Sequence, residues 1–222
     1  MNLNKPIKLR HLALSLSLLA LSGCAAQQVV KPSAEEVAPS TTTLSGLTPE
    51  DRVAFFVNHA RNGECSEVAK SIADGQPIDQ VDSLGQTALI AAVSHNSLEC
   101  VKLLLDHQAN ANVPDGSGWS PLIYAAYFGG SNELLTELLN HGADIDARND
   151  RDVTALFLAS ASGHEEQVKF LLSHGADQSL QSKGGYTPLR IASLRGQGKV
   201  VSLLQPASAP ASASAPKAAS KP

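Results

Sequence analysis

Residues 154–177, with the sequence TALFLASASGHEEQVKFLLSHGAD, contain the pattern that decides the fold. Thr154 is a favoured helix N-cap, an apolar stripe follows it, and Gly163 is a residue type at which helices often end. A second apolar stripe then runs to the His-Gly pair that ends at Gly175. The stretch therefore predicts two short helices joined by a tight turn.

Nearly the same text recurs along the chain at an almost constant interval. The N-cap position is filled by Thr87, Ser120, Thr154 and Thr187, at spacings of 33, 34 and 33 residues. Turn-forming residues precede each of these caps. Because one helical hairpin cannot bury its own apolar face, regularly spaced copies predict that the hairpins stack against one another.

Each N-cap begins a six-residue motif. The four motifs are Thr87-Ala-Leu-Ile-Ala-Ala, Ser120-Pro-Leu-Ile-Tyr-Ala, Thr154-Ala-Leu-Phe-Leu-Ala and Thr187-Pro-Leu-Arg-Ile-Ala. They resemble the ankyrin repeat, a β-turn followed by two antiparallel helices with a period of about 33 residues. The resemblance implies an all-α solenoid of about five helix-turn-helix repeats with short β-turn fingers, concave on the finger side.

The motifs depart from the family pattern at one position. The histidine of the family's Thr-Pro-Leu-His motif is replaced by Ile90, Ile123, Phe157 and Arg190. This departure calls the family's usual loop hydrogen-bond network into question, but it leaves the predicted helical stack intact.

The repeat domain is predicted to span residues 48–205 and to contain five repeats. The first is a degenerate copy, in which Phe56 and Gly63 fall one period before Leu89 and Asn96. Its polar substitutions are typical of a capping unit, and the last repeat is expected to have a truncated second helix. The third repeat is one residue longer than its neighbours, between Gly129 and Ser131, which either widens the local groove or forms a bulge.

Residues 1–23 have the features of an export signal. Three basic residues precede an apolar run at residues 12–21 that is too short to span a bilayer permanently. The sequence Leu21-Ser22-Gly23-Cys24 resembles the lipobox of bacterial lipoproteins, in which the cysteine is lipidated, for example with palmitate, and becomes the first residue of the mature chain. The alternative is an ordinary cleaved signal with a cysteine nearby.

The residues after Cys24 bear on localisation. Ala25 and Ala26 stand where an aspartate often marks retention at the inner membrane, so a lipoprotein of the outer membrane facing the periplasm is expected in a host with two membranes. Residues 24–47 lack helical periodicity and are rich in Pro, Ser and Thr, which predicts a flexible tether.

The C-terminal stretch, residues 206–222, consists only of Ala, Ser, Pro and Lys. This composition supplies no core and predicts a disordered tail. We interpret the tail as a spacer, with a weak handle for the cell wall as the alternative.

Composition and motifs narrow the classes of function. Without residues 1–23 the chain has 14 Lys and Arg against 21 Asp and Glu, and this acidic balance without a basic block argues against a nucleic-acid partner. No nucleophile elbow, His-Glu-x-x-His helix, Cys-x-x-Cys pair or phosphate-binding glycine loop occurs. We therefore predict a monomeric, non-enzymatic protein without a cofactor.

Three recurrent histidines, His107, His141 and His174, resemble a ligand set at first sight. Stacked repeats are about 10 Å apart, whereas zinc requires each ring nitrogen within about 2.1 Å of one ion. These histidines are therefore interpreted as last-turn residues that interact with the helix dipole, and no metal site is predicted.

Cys65 and Cys100 are the cysteines that remain besides Cys24. An exported protein meets an oxidising compartment, which favours a disulfide. Their positions within the repeat differ by two residues, so the spacing alone does not establish that the backbones approach closely enough. A disulfide and two buried, unpaired thiols both remain open, and we favour the thiols.

A partner-binding patch is predicted from the aromatic and arginine side chains. Only 4% of the residues are aromatic, yet several of them fall where the ankyrin family leaves positions open for partner contact. The predicted patch comprises Trp119, Tyr127 and Phe128 in one repeat, Arg151 one repeat on, and Tyr186 and Arg195 two repeats on. Trp, Tyr and Arg often dominate binding energies. The alternative is that Trp119 and Tyr186 pack across adjacent fingers while Phe128 fills a groove beneath them.

The resemblance implies a protein-protein interaction scaffold of the cell envelope that binds another protein through its concave face. Some small exported bacterial ankyrin proteins resemble helpers of antioxidant enzymes such as catalase, and others resemble immunity proteins that block a secreted toxin. Two alternatives remain: a haem- or metal-associated envelope protein, and an envelope organiser that acts through residues 206–222.

Overall fold

The computed structural model describes residues 46–205, which fold entirely into helices, turns and loops. The proposed signal peptide, Cys24, nearly all of the predicted tether and the tail lie outside this range. The described helices are α1 Pro49–Asn62, α2 Cys65–Ala73, α3 Ala88–Ser94, α4 Leu98–Asp106, α5 Pro121–Phe128, α6 Asn132–Asn140, α7 Ala155–Ser162, α8 Glu165–Ser173, α9 Pro188–Leu194 and α10 Gly198–Leu204. Within this part of the chain no helix is both long enough and apolar enough to cross a bilayer.

The helices form five consecutive pairs, which confirms the predicted solenoid. The first helices of the pairs pack side by side in the order α1, α3, α5, α7 and α9, and the second helices form a parallel layer in the order α2 to α10. The core lies between these two layers, and Leu89, Leu122 and Leu156 are buried at equivalent positions of three repeats. Burial between neighbouring repeats therefore holds the stack together.

The predicted N-caps begin the first helices. The side-chain oxygens of Thr87, Ser120, Thr154 and Thr187 each accept a hydrogen bond from the amide three residues on, over 3.2–3.3 Å. Each such cap contributes about 1 kcal/mol to helix stability. The same cap recurs in four repeats, so it sets the start of each hairpin independently of its neighbours.

Left-handed backbone conformations recur at three positions of the repeat. One set lies in the turn between the paired helices, one follows the second helix, and one lies in the finger. The sets are Gly63, Asn96, Gly129, Gly163 and Gly196; Gly75, Gln108, Gly142 and Gly175; and Gly85, Gly118, Asp152 and Gly185. Because side chains disfavour positive φ, glycine fills ten of these thirteen positions.

The fingers are ordered by one side chain at their first residue. In the third repeat Oδ1 of Asp115 accepts hydrogen bonds from the amides of Ser117 and Trp119, over 2.8 and 2.9 Å. Asp82 and Asn149 make the same pair of bonds in the neighbouring fingers. The fingers are therefore stabilised locally, although the family's motif histidine is absent.

The extra residue of the third repeat lies in the turn between α5 and α6. The turn contains Gly129, Gly130 and Ser131, and the Ser131 hydroxyl caps α6 by accepting from the Leu134 amide over 3.2 Å. The carbonyl of Gly130 accepts a hydrogen bond from the Gln167 side chain over 2.8 Å. The insertion therefore lengthens a turn and adds a contact with the next repeat.

A disulfide links Cys65 and Cys100, so the interpretation of two unpaired thiols was wrong. Cys65 is the first residue of α2 and Cys100 is the third residue of α4, and these helices are neighbours in the second layer. The offset of the two helices compensates for the difference in repeat position and brings the Cα atoms to 5.0 Å. The bond joins the first repeat covalently to the second.

Candidate functional site

Four aromatic side chains of the third repeat form one contiguous cluster, which we call the aromatic platform: Trp119, Tyr124, Tyr127 and Phe128. The ring centroids of Trp119 lie 5.2 Å from Tyr124 and 5.5 Å from Tyr127. Phe128 lies 5.1 Å from Tyr127, edge to face, and 6.1 Å from Tyr124, with nearly parallel planes. These are favourable geometries for aromatic pairs, each worth about 0.5–1.5 kcal/mol.

The local sequence explains why these rings meet. Ser120 caps α5, and Tyr124, Tyr127 and Phe128 follow at spacings of three and four residues, which place them on one face of the helix. Trp119 is the last residue of the finger that leads into the helix. The platform therefore lies at the junction of the finger and the first helix of the repeat.

The platform has an open side and a supported side. Phe128 is 54% exposed and Tyr127 is 44% exposed, whereas Trp119 and Tyr124 are partly buried and pack against the core. Exposed clusters of large apolar side chains mark interaction sites more often than single exposed residues do. Tyr127 and Phe128 thus form the accessible surface, and the other two rings hold it in place.

A hydrogen-bond network fixes the supported side. The hydroxyl of Tyr124 donates to Oδ2 of Asp115 over 2.7 Å and accepts from Nε2 of the Gln86 side chain over 3.2 Å. Burial first, and then the hydrogen bond with Asp115, raise the pKa of Tyr124 above its ordinary value. Arg61 of the first repeat donates to Gln86 and to Asp82, over 3.1 and 3.0 Å. The support of the platform therefore extends through three repeats.

The remaining residues of the predicted patch lie on later repeats. Arg151 is exposed at the next finger, and its carbonyl accepts a hydrogen bond from the Lys183 amide over 2.9 Å. Tyr186 is 37% exposed and has the guanidinium carbon of Arg190 5.6 Å from its ring centroid. Arg195 is exposed directly after α9. Within residues 46–205 no hydrogen bond, ring contact or ion pair joins these side chains to the platform.

The structure thus brings together three of the six predicted patch residues and adds Tyr124. The alternative packing is not found, because Trp119 contacts Tyr124 and Tyr127 of its own repeat and Phe128 is exposed. Tyr124 was not among the predicted patch residues, because the patch prediction considered only the turn residues before the N-cap and the two residues that close the first helix as contact positions. The spacing of three and four residues from Tyr124 to Tyr127 and Phe128 is the signal that could have identified it.

The three recurrent histidines each interact with their own helix. Nδ1 of His107, His141 and His174 donates to the carbonyl four residues earlier, over 2.8–2.9 Å. Among the described residues no group of three or more His, Cys, Asp or Glu side chains is placed to hold a metal ion.

Comparison with known proteins identifies the family. A family model described as ankyrin repeats (3 copies) matches residues 56–149 and 127–213, which together cover more than half of the 222 residues. The chain belongs to the ankyrin-repeat family. The ankyrin repeats make it a protein-interaction scaffold, and the aromatic platform is the most exposed aromatic cluster that the described part of the scaffold offers.

Curated relatives share the repeats with this ankyrin-repeat chain. Protein phosphatase 1 regulatory subunit 27 of Mus musculus is 38% identical over 97 residues, which are 43% of this chain and 62% of the relative. Its Homo sapiens counterpart is 35% identical over 97 residues, which again are 43% of this chain and 62% of the relative. Ankyrin repeat and SAM domain-containing protein 6 of Rattus norvegicus is 33% identical over 120 residues, 53% of this chain and 13% of the relative. The chain thus spans less than two thirds of the length of these relatives.

Proposed function

We propose that this chain is a lipid-anchored adaptor of a bacterial cell envelope, which binds another protein through the concave finger side of its repeats. The observation that carries the proposal is the aromatic platform. Two of its rings are exposed, while the other two and a partly buried hydrogen-bond network hold them in a fixed arrangement. A surface that is already ordered loses little conformational entropy when it binds.

The chemistry of the platform suits a binding hot spot. Trp and Tyr are enriched among residues that dominate interface energies, because they bury large rigid surfaces and keep a polar tip. Trp119 is the single tryptophan of the chain; it packs against the core and contacts Tyr127 edge to face. We therefore assign Tyr127 and Phe128 as the contact residues and Trp119 and Tyr124 as their support.

Two independent features support the envelope location. The sequence Leu21-Ser22-Gly23-Cys24 resembles a lipobox, so Cys24 is the proposed site of lipidation, and Ala25 and Ala26 favour the periplasmic face of the outer membrane. The disulfide between Cys65 and Cys100 is typical of proteins that mature outside the reducing cytosol.

The names of two relatives describe regulatory subunits of a phosphatase. By analogy, we propose that this chain acts by occupying a surface of its partner and not through chemistry of its own. An antioxidant enzyme that needs a helper and a secreted toxin that needs an inhibitor are the two partner classes that we would test first.

Site-specific cross-linking tests the binding proposal. A photo-cross-linking amino acid at position 128, in cells that express the full chain, should capture one predominant protein that mass spectrometry can identify. The double substitution Trp119→Ala and Tyr127→Ala should abolish the cross-link while circular dichroism stays helical. Glu99→Ala, at an exposed position of α4, is the matched control and should leave the cross-link intact. An unchanged cross-link in the double variant would contradict the proposal.

Metabolic labelling tests the anchor separately. Radiolabelled palmitate should appear on the wild-type product and be absent from Cys24→Ala, which should also leave the membrane fraction. If the wild-type protein takes up no label, the anchor is rejected and the binding proposal still stands.

A further inference from the structure

The charges of the repeat domain are distributed unevenly along the stack. Residues 46–146 contain four Lys and Arg against fourteen Asp and Glu, whereas residues 147–205 contain seven against five. Residues 178–205 contain four basic side chains and no acidic one. The stack is therefore strongly acidic at its N-terminal end and basic at its C-terminal end.

Residues 46–205 contain seven basic side chains besides Arg151, Lys183, Arg190 and Arg195. Five of these seven have a carboxylate partner in this range, whereas Arg52 and Arg148 have none. Arg61 pairs with Asp82 over 3.0 Å, and other pairs join the second helices of adjacent repeats. The latter pairs are Lys102 with Glu137 over 3.3 Å and Lys199 with Glu165 over 3.0 Å. Most of these cations are thus neutralised by the chain itself.

In the last two repeats four basic side chains lack such partners. Arg151, Lys183, Arg190 and Arg195 are all exposed, and no carboxylate within residues 46–205 forms an ion pair with them. Asp150 and Asp152 flank Arg151 in sequence, yet neither pairs with its guanidinium. Within the described residues these four cationic groups therefore have no ion-pair partner.

The backbone holds two of these cations on adjacent fingers. The amide of Lys183 donates to the carbonyl of Arg151 over 2.9 Å, so the two fingers are fixed side by side. Exposed apolar surface accompanies the charges, since Leu194 is 63% exposed next to Arg195 and Tyr186 lies beside Arg190. Apolar contact and anion binding are therefore available within the same repeat.

We infer that the partner meets the scaffold with a short polypeptide segment whose apolar end contacts the aromatic platform and whose acidic side chains face Arg151, Lys183 and Arg195. This inference rests on the proposed function and specifies its partner. Repeats are stacked about 10 Å apart, so the fifth repeat lies about 20 Å beyond the third, a distance that about six residues of extended chain span. Charge complementarity then sets the direction in which the segment binds.

The charge pattern disfavours the other occupants. A nucleic acid is uniformly anionic and would also meet the fourteen acidic side chains of residues 46–146. The chain's own residues 206–222 contain Lys217 and Lys221 and no acidic residue, so they have the wrong sign for this surface. A segment with one apolar end and one acidic end matches the surface along its whole length.

Selection from an unbiased library of twelve-residue peptides tests the inference on the full-length, detergent-solubilised protein. The selected peptides should combine aromatic or aliphatic residues with Asp or Glu. Fluorescence anisotropy should show that the best peptide binds Arg151→Gln/Arg195→Gln about tenfold more weakly than wild type. Arg52→Gln, at an exposed arginine of α1, is the matched control and should bind within about twofold of wild type. Raising the salt from 50 to 500 mM should weaken binding to wild type.

Each other outcome overturns the inference. The proposal of an acidic segment is rejected if the selection yields no peptides or only neutral or basic ones. It is also rejected if binding is unaffected in the double arginine variant. Displacement of the peptide by a dT12 oligonucleotide at comparable concentration would instead make this surface a nucleic-acid site. If the cross-linked partner still depends on Trp119 and Tyr127 while the arginine substitutions have no effect, the proposed function stands and only the inference fails.

Discussion

The carboxylate of Asp115 joins the finger of the third repeat to the helix that follows it, through the hydroxyl of Tyr124. Oδ2 of Asp115 accepts from this hydroxyl over 2.7 Å, and Oδ1 accepts from the amide of Trp119 over 2.9 Å. One side chain thus fixes both the finger that positions Trp119 and the ring on which Phe128 stacks. The order of the aromatic platform depends on this relationship.

Removal of the Tyr124 hydroxyl should loosen the platform. Tyr124→Phe leaves Oδ2 of Asp115 and Nε2 of the Gln86 side chain without this partner, so we expect a loss of about 1 kcal/mol in the free energy of unfolding. The emission of Trp119, the only tryptophan, should shift to longer wavelength. Tyr127→Phe is the control, since within the described residues the Tyr127 hydroxyl makes no hydrogen bond, and it should change neither quantity. Equal effects of the two substitutions would contradict the assigned support.

The stability of the wild-type protein should fall at alkaline pH, and the fall should be smaller in Tyr124→Phe. The folded-state pKa of Tyr124 is raised by burial and by Asp115. A raised pKa means that the neutral tyrosine stabilises the folded state fully below the unfolded pKa of about 10, and that this contribution is lost as the pH rises through the folded pKa. Urea unfolding between pH 8 and pH 11 should therefore show a shallower decline in Tyr124→Phe than in wild type. Identical slopes would refute the raised pKa.

Reduction of the disulfide should destabilise the first two repeats. The bond between Cys65 and Cys100 closes a loop with a sequence separation of 35, for which chain entropy predicts about 3–4 kcal/mol. Urea unfolding with and without reductant should show this difference in wild type. The double variant Cys65→Ala/Cys100→Ala should be insensitive to reductant. A wild-type midpoint that reductant leaves unchanged, together with thiols that label without reduction, would rule out the bond.

Glycine at position 108 should stabilise the fold. Gln108 has a φ of 68° after α4, whereas the equivalent position after α6 is Gly142 with a φ of 82°. Gln108→Gly relieves the unfavourable left-handed conformation and should raise the free energy of unfolding by about 0.5–1 kcal/mol. The reverse test is Gly142→Ala, where an added Cβ meets nothing within 4 Å, so the expected loss of about 1 kcal/mol reflects the backbone alone. Thermal midpoints that move in the same direction for both variants would argue against this account.

The repeat architecture could be predicted because it depends on local signals. Thr154 and its equivalents cap helices through bonds that span only three residues, and Gly163 ends α7 in a left-handed conformation that its residue type favours. The period then followed from the recurrence of these signals. The order of the helices and the position of the core could therefore be predicted without knowledge of long-range contacts.

The disulfide and the platform support could not be predicted in the same way. The approach of Cys65 and Cys100 depends on the offset between α2 and α4, which no local signal encodes. The bond between Gln86 and Tyr124 joins residues that are 38 positions apart on different repeats. Arg151, Tyr186 and Arg195 were selected from family positions, and their role depends on a partner that one chain does not contain.

The covalent bond between Cys65 and Cys100 also determines how the protein would bear a mechanical load. A pull applied before Thr48 can unravel α1, but the tension then passes from Cys65 directly to Cys100 and bypasses the segment between them. If the chain is anchored to a membrane at Cys24, as proposed, α1 is the helix that unfolds and extends under load. A partner bound at α5 would then stay bound under a stretching force that, without the disulfide, would unfold the stack one hairpin at a time.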